Sequence, residues 1–475
     1  MQLVDVRTDS HVWAEEYDRD LKDMFAMQSE IAQKVADQLR VKIPRDEKRA
    51  IERPPTADIT AFDLYSRAKY LILTPWYASP VRTQLLQVPD LLNQAIARDP
   101  SFFDAYCQLA WAHDLLYFYG LDRSPGRLAS AEAAIQAAFR LRPDAGEAHL
   151  ARAWNLYVGH LDYDGALTEL EVAKHTLPNE PQVVGLQGYI ERRRGRWAES
   201  TRDLERAIEL DPRNVLTLTQ TAITYAFFRR HAEEKSLMVR ALTVAPNDAA
   251  IKAECALVEL DWKADTRQLR QVIDSTRATN PAAIAGIADI CLTCALAERD
   301  ASAAENALLA LPETRIRLLK INNVNFSRAF VKGLIARTTK DDREAQVAFT
   351  AARLEQEKVI QAQPSYGPAL CVLGLIDAAL GRKEEALRAG RRAVELLPVE
   401  RDAFEGPVMV KYLAMIAAWA GDKDLACEQL AAVIRGPSDL SYGQLKLMPW
   451  WDPLRGDPRF EKIVASLAPK QSASK

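Results

Sequence analysis

Apolar residues recur along most of this chain at helical intervals, and prolines interrupt them at a nearly constant distance. Pro143, Pro178, Pro212, Pro246 and Pro281 are separated by 35, 34, 34 and 35 residues, and Pro364 to Pro398 is again 34. The segments AIARDP, AFRLRP, AIELDP, ALTVAP and AVELLP end at Pro100, Pro143, Pro212, Pro246 and Pro398. Each reads as the last turn of a helix, stopped by a residue that lacks an N–H and clashes with the turn before it. Five positions before the proline the residue is small, as Ala95, Ala138, Ala173, Ala207, Ala241 and Ala393. Small residues there predict that two helices approach closely at each repeat. The pattern therefore describes stacked helix pairs sharing a core that grows with chain length, not separate domains.

Aligned on the prolines, position 8 of the repeat is Gly188 and Gly374, position 15 is Gly195 and Gly381, and the aromatic of the first helix is Tyr157 and Tyr225. With a period near 34, the chain resembles the tetratricopeptide repeat family from about residue 61 to residue 437. The resemblance implies an all-α superhelical solenoid of about ten helix pairs. Three places depart from the pattern: the turn TPWYASPV, the insert near GLDRSPGR, and the span from Pro312 to Pro364. Repeat boundaries between Pro281 and Pro364 stay open.

The ends are not repeats. Leu3 to Val6 reads as a strand, His11 to Trp13 as a second one, and Asp23 to Leu39 as a helix. Asp5, Trp13, the block Tyr17, Asp18, Arg19 and Asp20, then Phe25, Gln28 and Ile31 resemble the end of the TolB amino-terminal-like domain of bacterial regulators. The rest of that α/β domain is absent from the sequence, so the hairpin is expected to present an unpaired edge that frays or self-associates. At the other end, LKLMPWWDPLRGDPRFEKIVASLA resembles the segment that closes the array in those regulators. Asp457 can cap a helix opened by Pro458, with Phe460, Ile463, Val464 and Leu467 on one apolar face. The expected domains are a TolB-like remnant at 1–53, the array at 54–436, and a capping segment with tail at 437–475. In such regulators the repeats follow a nucleotide cyclase, a protein kinase or a winged-helix domain, none of whose motifs occurs here.

Composition narrows the function. The 475 residues carry a formal net charge of -3, so nothing global draws the chain to nucleic acid or an anionic membrane. Cys107, Cys255, Cys291, Cys294, Cys371 and Cys427 are dispersed through apolar helical runs, the usage of a reducing, cytoplasmic setting. No run approaches the roughly 18 apolar residues of a bilayer span. Phosphate-loop, dinucleotide, zinc-helix and nucleophile-elbow motifs are absent. The C-x-x-C at Cys291 lies inside an apolar helix without a second ligand pair, which favours core filling over zinc or redox chemistry. The expectation is a non-enzymatic interaction scaffold without a cofactor or metal. An enzymatic or ligand site in the irregular repeats is the competing class.

In the repeat register the inward positions include Trp111, Asp114, Asn155, Gln182, Tyr189, Arg192, Arg193, Thr219 and Phe227, a mixed lining suited to a protein or peptide segment. The carboxylate clamp of chaperone-binding relatives is not reproduced, since only Asn155 holds a clamp position. GYIERRRGRWAES, residues 188–200, reads as a helix end, a glycine corner and a second helix. Its cations either satisfy the helix dipole as a solvated corner or line up, as Arg192, Arg193, Arg194 and Arg196 with Arg229 and Arg230, into a basic ridge that steers an acidic partner.

Overall fold

The computed structural model describes residues 2–5, 10–15, 24–38, 54–73, 85–118, 121–122, 124–313, 316–318 and 324–469. These fall into two compact units, one formed by residues 1–73 and 84–161, the other chiefly by 162–475.

The first unit opens with β1 (Gln2–Asp5) paired antiparallel to β2 (Ser10–Ala14), Leu3 opposite Trp13, followed by α1 (Met24–Gln38). Strand and helix thus stand within a residue or two of the sequence expectation. Val6 and the block Tyr17 to Asp20 lie outside the described residues. The Phe25 ring meets Phe62 edge-on at 4.8 Å, so α1 packs on α2 (Ile59–Leu73). Two helix pairs follow, α2 with α3 (Val88–Arg98), then α4 (Phe103–Phe118) with α5 (Pro125–Leu141). Last comes α6 (Gly146–Asn155), which runs on as a single π turn, Leu156–His160.

The second unit begins with α7 (Tyr163–Thr176). Seven consecutive helix pairs follow. They are α8 (Pro181–Arg193) with α9 (Trp197–Leu210), α10 (Val215–Phe227) with α11 (His231–Val244), and α12 (Ala249–Lys263) with α13 (Arg267–Thr279). Next are α14 (Ala288–Glu298) with α15 (Ala301–Ala310) and α16 (Arg328–Thr338) with the longer α17 (Asp342–Ala362). The array ends with α18 (Gly367–Ala379) and α19 (Lys383–Leu396), then α20 (Gly406–Trp419) and α21 (Lys423–Val433). The cap consists of α22 (Tyr442–Leu447), a 3-10 segment Pro449–Leu454 and α23 (Pro458–Leu467).

Proline and alanine do what their chemistry requires. Helices end at Arg98, Leu141, Thr176, Leu210, Val244, Thr279, Ala362 and Leu396, each two residues before its proline. Ala95, Ala138, Ala173, Ala207, Ala241 and Ala393 are all fully buried. A Cβ on Gly188 would come within 2.8 Å of Leu204 and 3.2 Å of the Ser200 carbonyl, so the glycine sets how closely α8 and α9 approach. The corner at Gly195 needs a left-handed backbone, φ 77°, and Gly381 and Gly421 repeat it. Arg229, Ala264, Arg299 and Lys340 hold the same conformation at the corresponding corners despite carrying a Cβ. The N–H of the next residue returns to the carbonyl five back, as Arg196 to Glu191, Arg230 to Tyr225, Asp300 to Ala295 and Asp341 to Ala336, or six back at Asp265 to Glu259, which satisfies the helix end and sustains the unfavourable φ.

At the cap, Asp457 accepts from the Arg459 N–H, while Phe460, Ile463 and Val464 are buried. Trp450 and Trp451 fill the core beside them. The stretch Pro281–Glu298 departs from the sequence expectation, because by length and composition it is apolar enough to cross a membrane. It folds as a 3-10 segment, Pro281–Ile287, followed by α14, and half of it is buried in the unit. Cys291 and Cys294 lie in that buried part as free thiols, pushed up to about 12 and about 11 by burial, which suits core filling.

Replacing Ala207 with leucine should cost about 1–3 kcal/mol by overpacking the α8–α9 contact. The same change at exposed Arg206 should stay within about 0.5 kcal/mol. Urea midpoints for the two variants measure the difference, and equal shifts would contradict the register.

Candidate partner-binding cleft and the arginines beside it

In the first unit, Trp111 and Asp114 project from α4 and Asn155 from the end of α6, where the π turn starts. Asn155 Nδ2 donates to Asp114 Oδ1 at 2.9 Å, and both residues are fully buried. They form an interior polar pair, not a groove lining. Trp111 is also buried, its ring 6.1 Å from Trp154. Burial pushes the Asp114 carboxyl up to about 8, against the hydrogen bond from Asn155 that favours its charge. Beside it, burial and the Arg127 guanidinium push His113 down to about 4. Adjacent in sequence, His113 and Asp114 point to different neighbours: His113 Nδ1 lies 3.0 Å from Arg127 Nη1.

In the second unit the helices α8 and α10 carry the remaining predicted positions, and the chain itself covers them. Tyr189 lies under the Arg192 guanidinium, 5.1 Å from the ring centroid. Arg192 and Arg193 are almost fully buried, at 4% and 5% exposure. Arg192 lies 4.4 Å from the Phe404 ring and donates to Gln220 Oε1 at 2.8 Å. Arg193 Nη1 meets Asp402 Oδ2 at 2.7 Å, and the Arg193 carbonyl accepts the Ala403 N–H at 2.7 Å. Phe227 stacks on Phe404 with centroids 4.4 Å apart, and its carbonyl accepts the Ser438 N–H. Thr219 is buried and donates to the Leu216 carbonyl, whereas Gln182 in the first turn of α8 is half-buried.

The expected basic ridge does not form. Arg229 donates to the Gly436 carbonyl at 3.1 Å and Ser438 Oγ at 2.9 Å, and burial lowers its pKa. Arg194 pairs with Asp164 at 3.1 Å, Arg196 with Glu191 at 3.6 Å, and Arg230 with Glu233 at 2.7 Å. A guanidinium stacks on aromatic faces while its fork meets carboxylates and carbonyls, so cations at helix ends are well suited to pin down a second segment. Here that segment is the chain's own 402–405 and 436–440.

Residues invisible to the sequence reading make up the other half of this clasp. Asp402 Oδ1 accepts from the Phe404 and Glu405 N–H groups at 2.9 Å, which turns the chain into α20. Lys411 and Asp439 form a buried ion pair. Burial pushes the enclosed Glu405 up to about 7, with Arg193 acting against the shift. One signal was available: the connection from α19 to α20 is longer than that from α9 to α10, enough chain for a docking loop.

Farther along, α22 seats on α12. Ser441 Oγ donates to Asp261 Oδ1 at 2.6 Å and accepts the Gln444 N–H that starts its helix. A Cβ on Gly443 would overlap the Leu260 carbonyl oxygen, so only glycine allows this approach. Gly443→Ala should therefore lift α22 and cost about 1–3 kcal/mol. Thermal melting measures it, and an unchanged midpoint would mean that α22 is not seated on α12.

Between α10, α12 and α14 an open cleft holds a cavity of about 90 Å3, with Gln444 and Met448 closing one side. Ile223, Leu257 and Ile290 supply apolar floor, and Glu254, Asp261, Asp289 and Arg317 supply charge. Arg317 lies 3.7 Å from Asp289. The cleft is lined by three helices and has polar groups at its walls.

No protein-family model matches the sequence. Among curated proteins it is similar to "Putative adenylate cyclase 3" of Rhizobium meliloti (strain 1021), 32% identical over 109 residues. That alignment spans 23% of this chain and 18% of the relative, less than a fifth of the relative's length. Among solved structures it is similar to the human IFIT1 dimer with PPP-AAAA, at 14% identity and TM-score 0.42, covering 79% of this chain and 78% of that one. It is also similar to PilF of Pseudomonas aeruginosa, at 20% identity and TM-score 0.33, covering 45% and 91%. A tetratricopeptide repeat protein from Parabacteroides merdae aligns at 12% identity and TM-score 0.33, covering 53% and 92%. With antiparallel helix pairs whose second helices repeatedly end two residues before a regularly spaced proline, the chain is an all-α helical-repeat array.

Proposed function

We propose that this chain is a non-enzymatic interaction scaffold that holds a protein or peptide segment in the cleft between α10, α12 and α14. The observation that carries the reading is the cleft itself: a cavity of about 90 Å3 that opens to solvent, with an apolar floor and polar walls drawn from α10, α12 and α14. Neighbouring packed helices lie about 8–10 Å apart, so three of them offer a track for roughly six extended residues.

We read the scaffold as the docking or sensing part of a bacterial signalling protein working in the cytoplasm. The resemblance of the amino terminus to TolB-like regulators and the partial likeness to an adenylate cyclase both support this. On the alternative reading it is the regulatory arm of a cyclase, kinase or transcriptional regulator whose effector domain lies outside this sequence.

The test is a selection of displayed random twelve-residue peptides on the full chain, repeated on a variant carrying Ile223→Arg and Ile290→Arg. Selected peptides are expected to weaken at least about tenfold on the variant, about 1.4 kcal/mol. Failure to select any cleft-sensitive peptide, or turnover of nucleotides, esters or phosphoesters by the purified chain, would overturn the proposal.

A further inference from the structure

The loop between α19 and α20 is held as a bound peptide would be. Its ends stand together: the Gly406 N–H donates to the Asp402 carbonyl at 2.8 Å, and a Cβ on Gly406 would come within 2.6 Å of the Val399 Cα. Residues 399–406 therefore form a finger with closed feet, the build of an Ω-loop. Three kinds of contact seat its tip. Asp402 Oδ2 accepts from Arg193 Nη1 at 2.7 Å and from the Tyr163 hydroxyl at 3.0 Å, and the Ala403 N–H donates to the Arg193 carbonyl. The Phe404 ring stacks on Phe227 and meets the Arg192 guanidinium, each 4.4 Å away. A charge, a backbone group and a ring are thus each met by a partner of matching chemistry. Trp197, Phe227, Ala403 and Phe404 form a small apolar cluster of their own, distinct from the main core in which Val408 and Met409 anchor α20. Asp402 also shapes the tip from within, through the Phe404 and Glu405 N–H groups that its Oδ1 accepts. A segment preorganised in this way binds at a lower entropic cost.

We infer that α8 and the end of α10 form a recognition site for a protein segment with aspartate two residues before an aromatic residue, and that the chain's own finger shuts this site by occupying it. A partner carrying such a segment displaces the tip while the feet at Val399 and Gly406 stay in place. Arg193 and Tyr163 then hold its carboxylate, the Arg193 carbonyl takes its backbone N–H, and Arg192 with Phe227 hold its ring. A basic segment would meet repulsion from the two guanidinium groups. The finger and its seat are independent of the cleft between α10, α12 and α14, so the two readings fail separately.

The probe is a labelled synthetic peptide, PVERDAFEGPV, the sequence of residues 398–408, titrated by fluorescence anisotropy. Asp402→Gly, Ala403→Ser, Phe404→Gly and Glu405→Ser, made together in the full chain, vacate the site, and thermal melting checks that the variant stays folded. The vacated chain should bind the peptide at least about tenfold tighter than the parent, whose tethered finger competes for the same seat. A peptide with asparagine for the aspartate should bind the vacated chain at least about tenfold more weakly, and adding Arg193→Ala should remove that difference. A folded vacated chain that binds the peptide no better than the parent does, or that binds both peptides alike, overturns the inference. Hydrogen exchange in the parent gives a second test that needs no substitution. Segment 402–405 should exchange at least about tenfold faster than 409–416 in α20, because the tip opens locally. Equal protection would mean that the tip leaves only when the unit unfolds, and no partner could then displace it.

Discussion

Arg193→Ala is expected to lower the unfolding free energy by about 3–5 kcal/mol, because it leaves Asp402 charged and buried without its partner. Both residues are under a tenth exposed, and their contact at 2.7 Å bridges α8 and the start of α20. The same substitution removes a guanidinium 5.2 Å from the Phe404 ring and the main favourable charge acting on Glu405. Glu405 then takes up a proton near neutral pH, and the loop at 402–405 loses its anchor. Replacing both partners, as Arg193→Met with Asp402→Asn, should recover much of the loss, since no buried charge is left unpaired. Urea denaturation of parent, single and double variants decides the matter. A single variant within about 1 kcal/mol of the parent would mean that the pair is solvated.

The second large effect belongs to Asp114. Its ordinary value of 3.8 is raised to about 8 in the folded chain, chiefly by burial. Between those values the unfolded chain releases the proton and the folded chain keeps it. Stability is therefore fully present below about pH 4 and is lost as pH rises toward 8, by about 1.4 kcal/mol per pH unit. His113, depressed to about 4, runs in the opposite sense below pH 6.5, and Glu405 adds a loss of its own up to about pH 7. The difference between the parent and Asp114→Asn isolates the one group, since the other contributions are common to both. That difference should grow in favour of the asparagine variant by roughly 2–3 kcal/mol from pH 5 to pH 7. A difference independent of pH would place the Asp114 carboxylate in water.

Periodic features were legible in the sequence because they repeat with local chemistry. A proline stops a helix wherever it falls, and an alanine at a crossing is needed in every pair, so helix ends and buried crossings followed from spacing alone. The corners were half legible. Glycine marks the left-handed residue at Gly195 and Gly381, whereas Arg229, Arg299 and Lys340 adopt the same φ without any sign in the sequence. The function of the arginines was not legible. Arg193 and Asp402 are 209 residues apart, and Arg229 and Ser438 are likewise 209 apart, so no window along the chain contains both halves of either contact. Repeat register alone points those cations at a groove, and only the return of the distal repeats shows what meets them. Trp111, Asp114 and Asn155, expected to line a groove, are buried among neighbouring side chains, and the π turn after Asn155 leaves no trace in composition.

A stack of helix pairs ordinarily folds piecemeal, each pair leaning only on its neighbours, so that shortening one end leaves the other intact. The seating of Ala403 on Arg193, Ser438 on Phe227 and Gly443 beneath Leu260 ties pairs together that are far apart along the chain. Closing such long loops costs entropy before any contact repays it, which delays these junctions to a late step and makes folding of the second unit a single cooperative event. Removing residues after 435 should then loosen α10 and α12, two hundred residues upstream, as much as it loosens α21 next door. For this unit the carboxy-terminal cap acts less as an end than as a keystone.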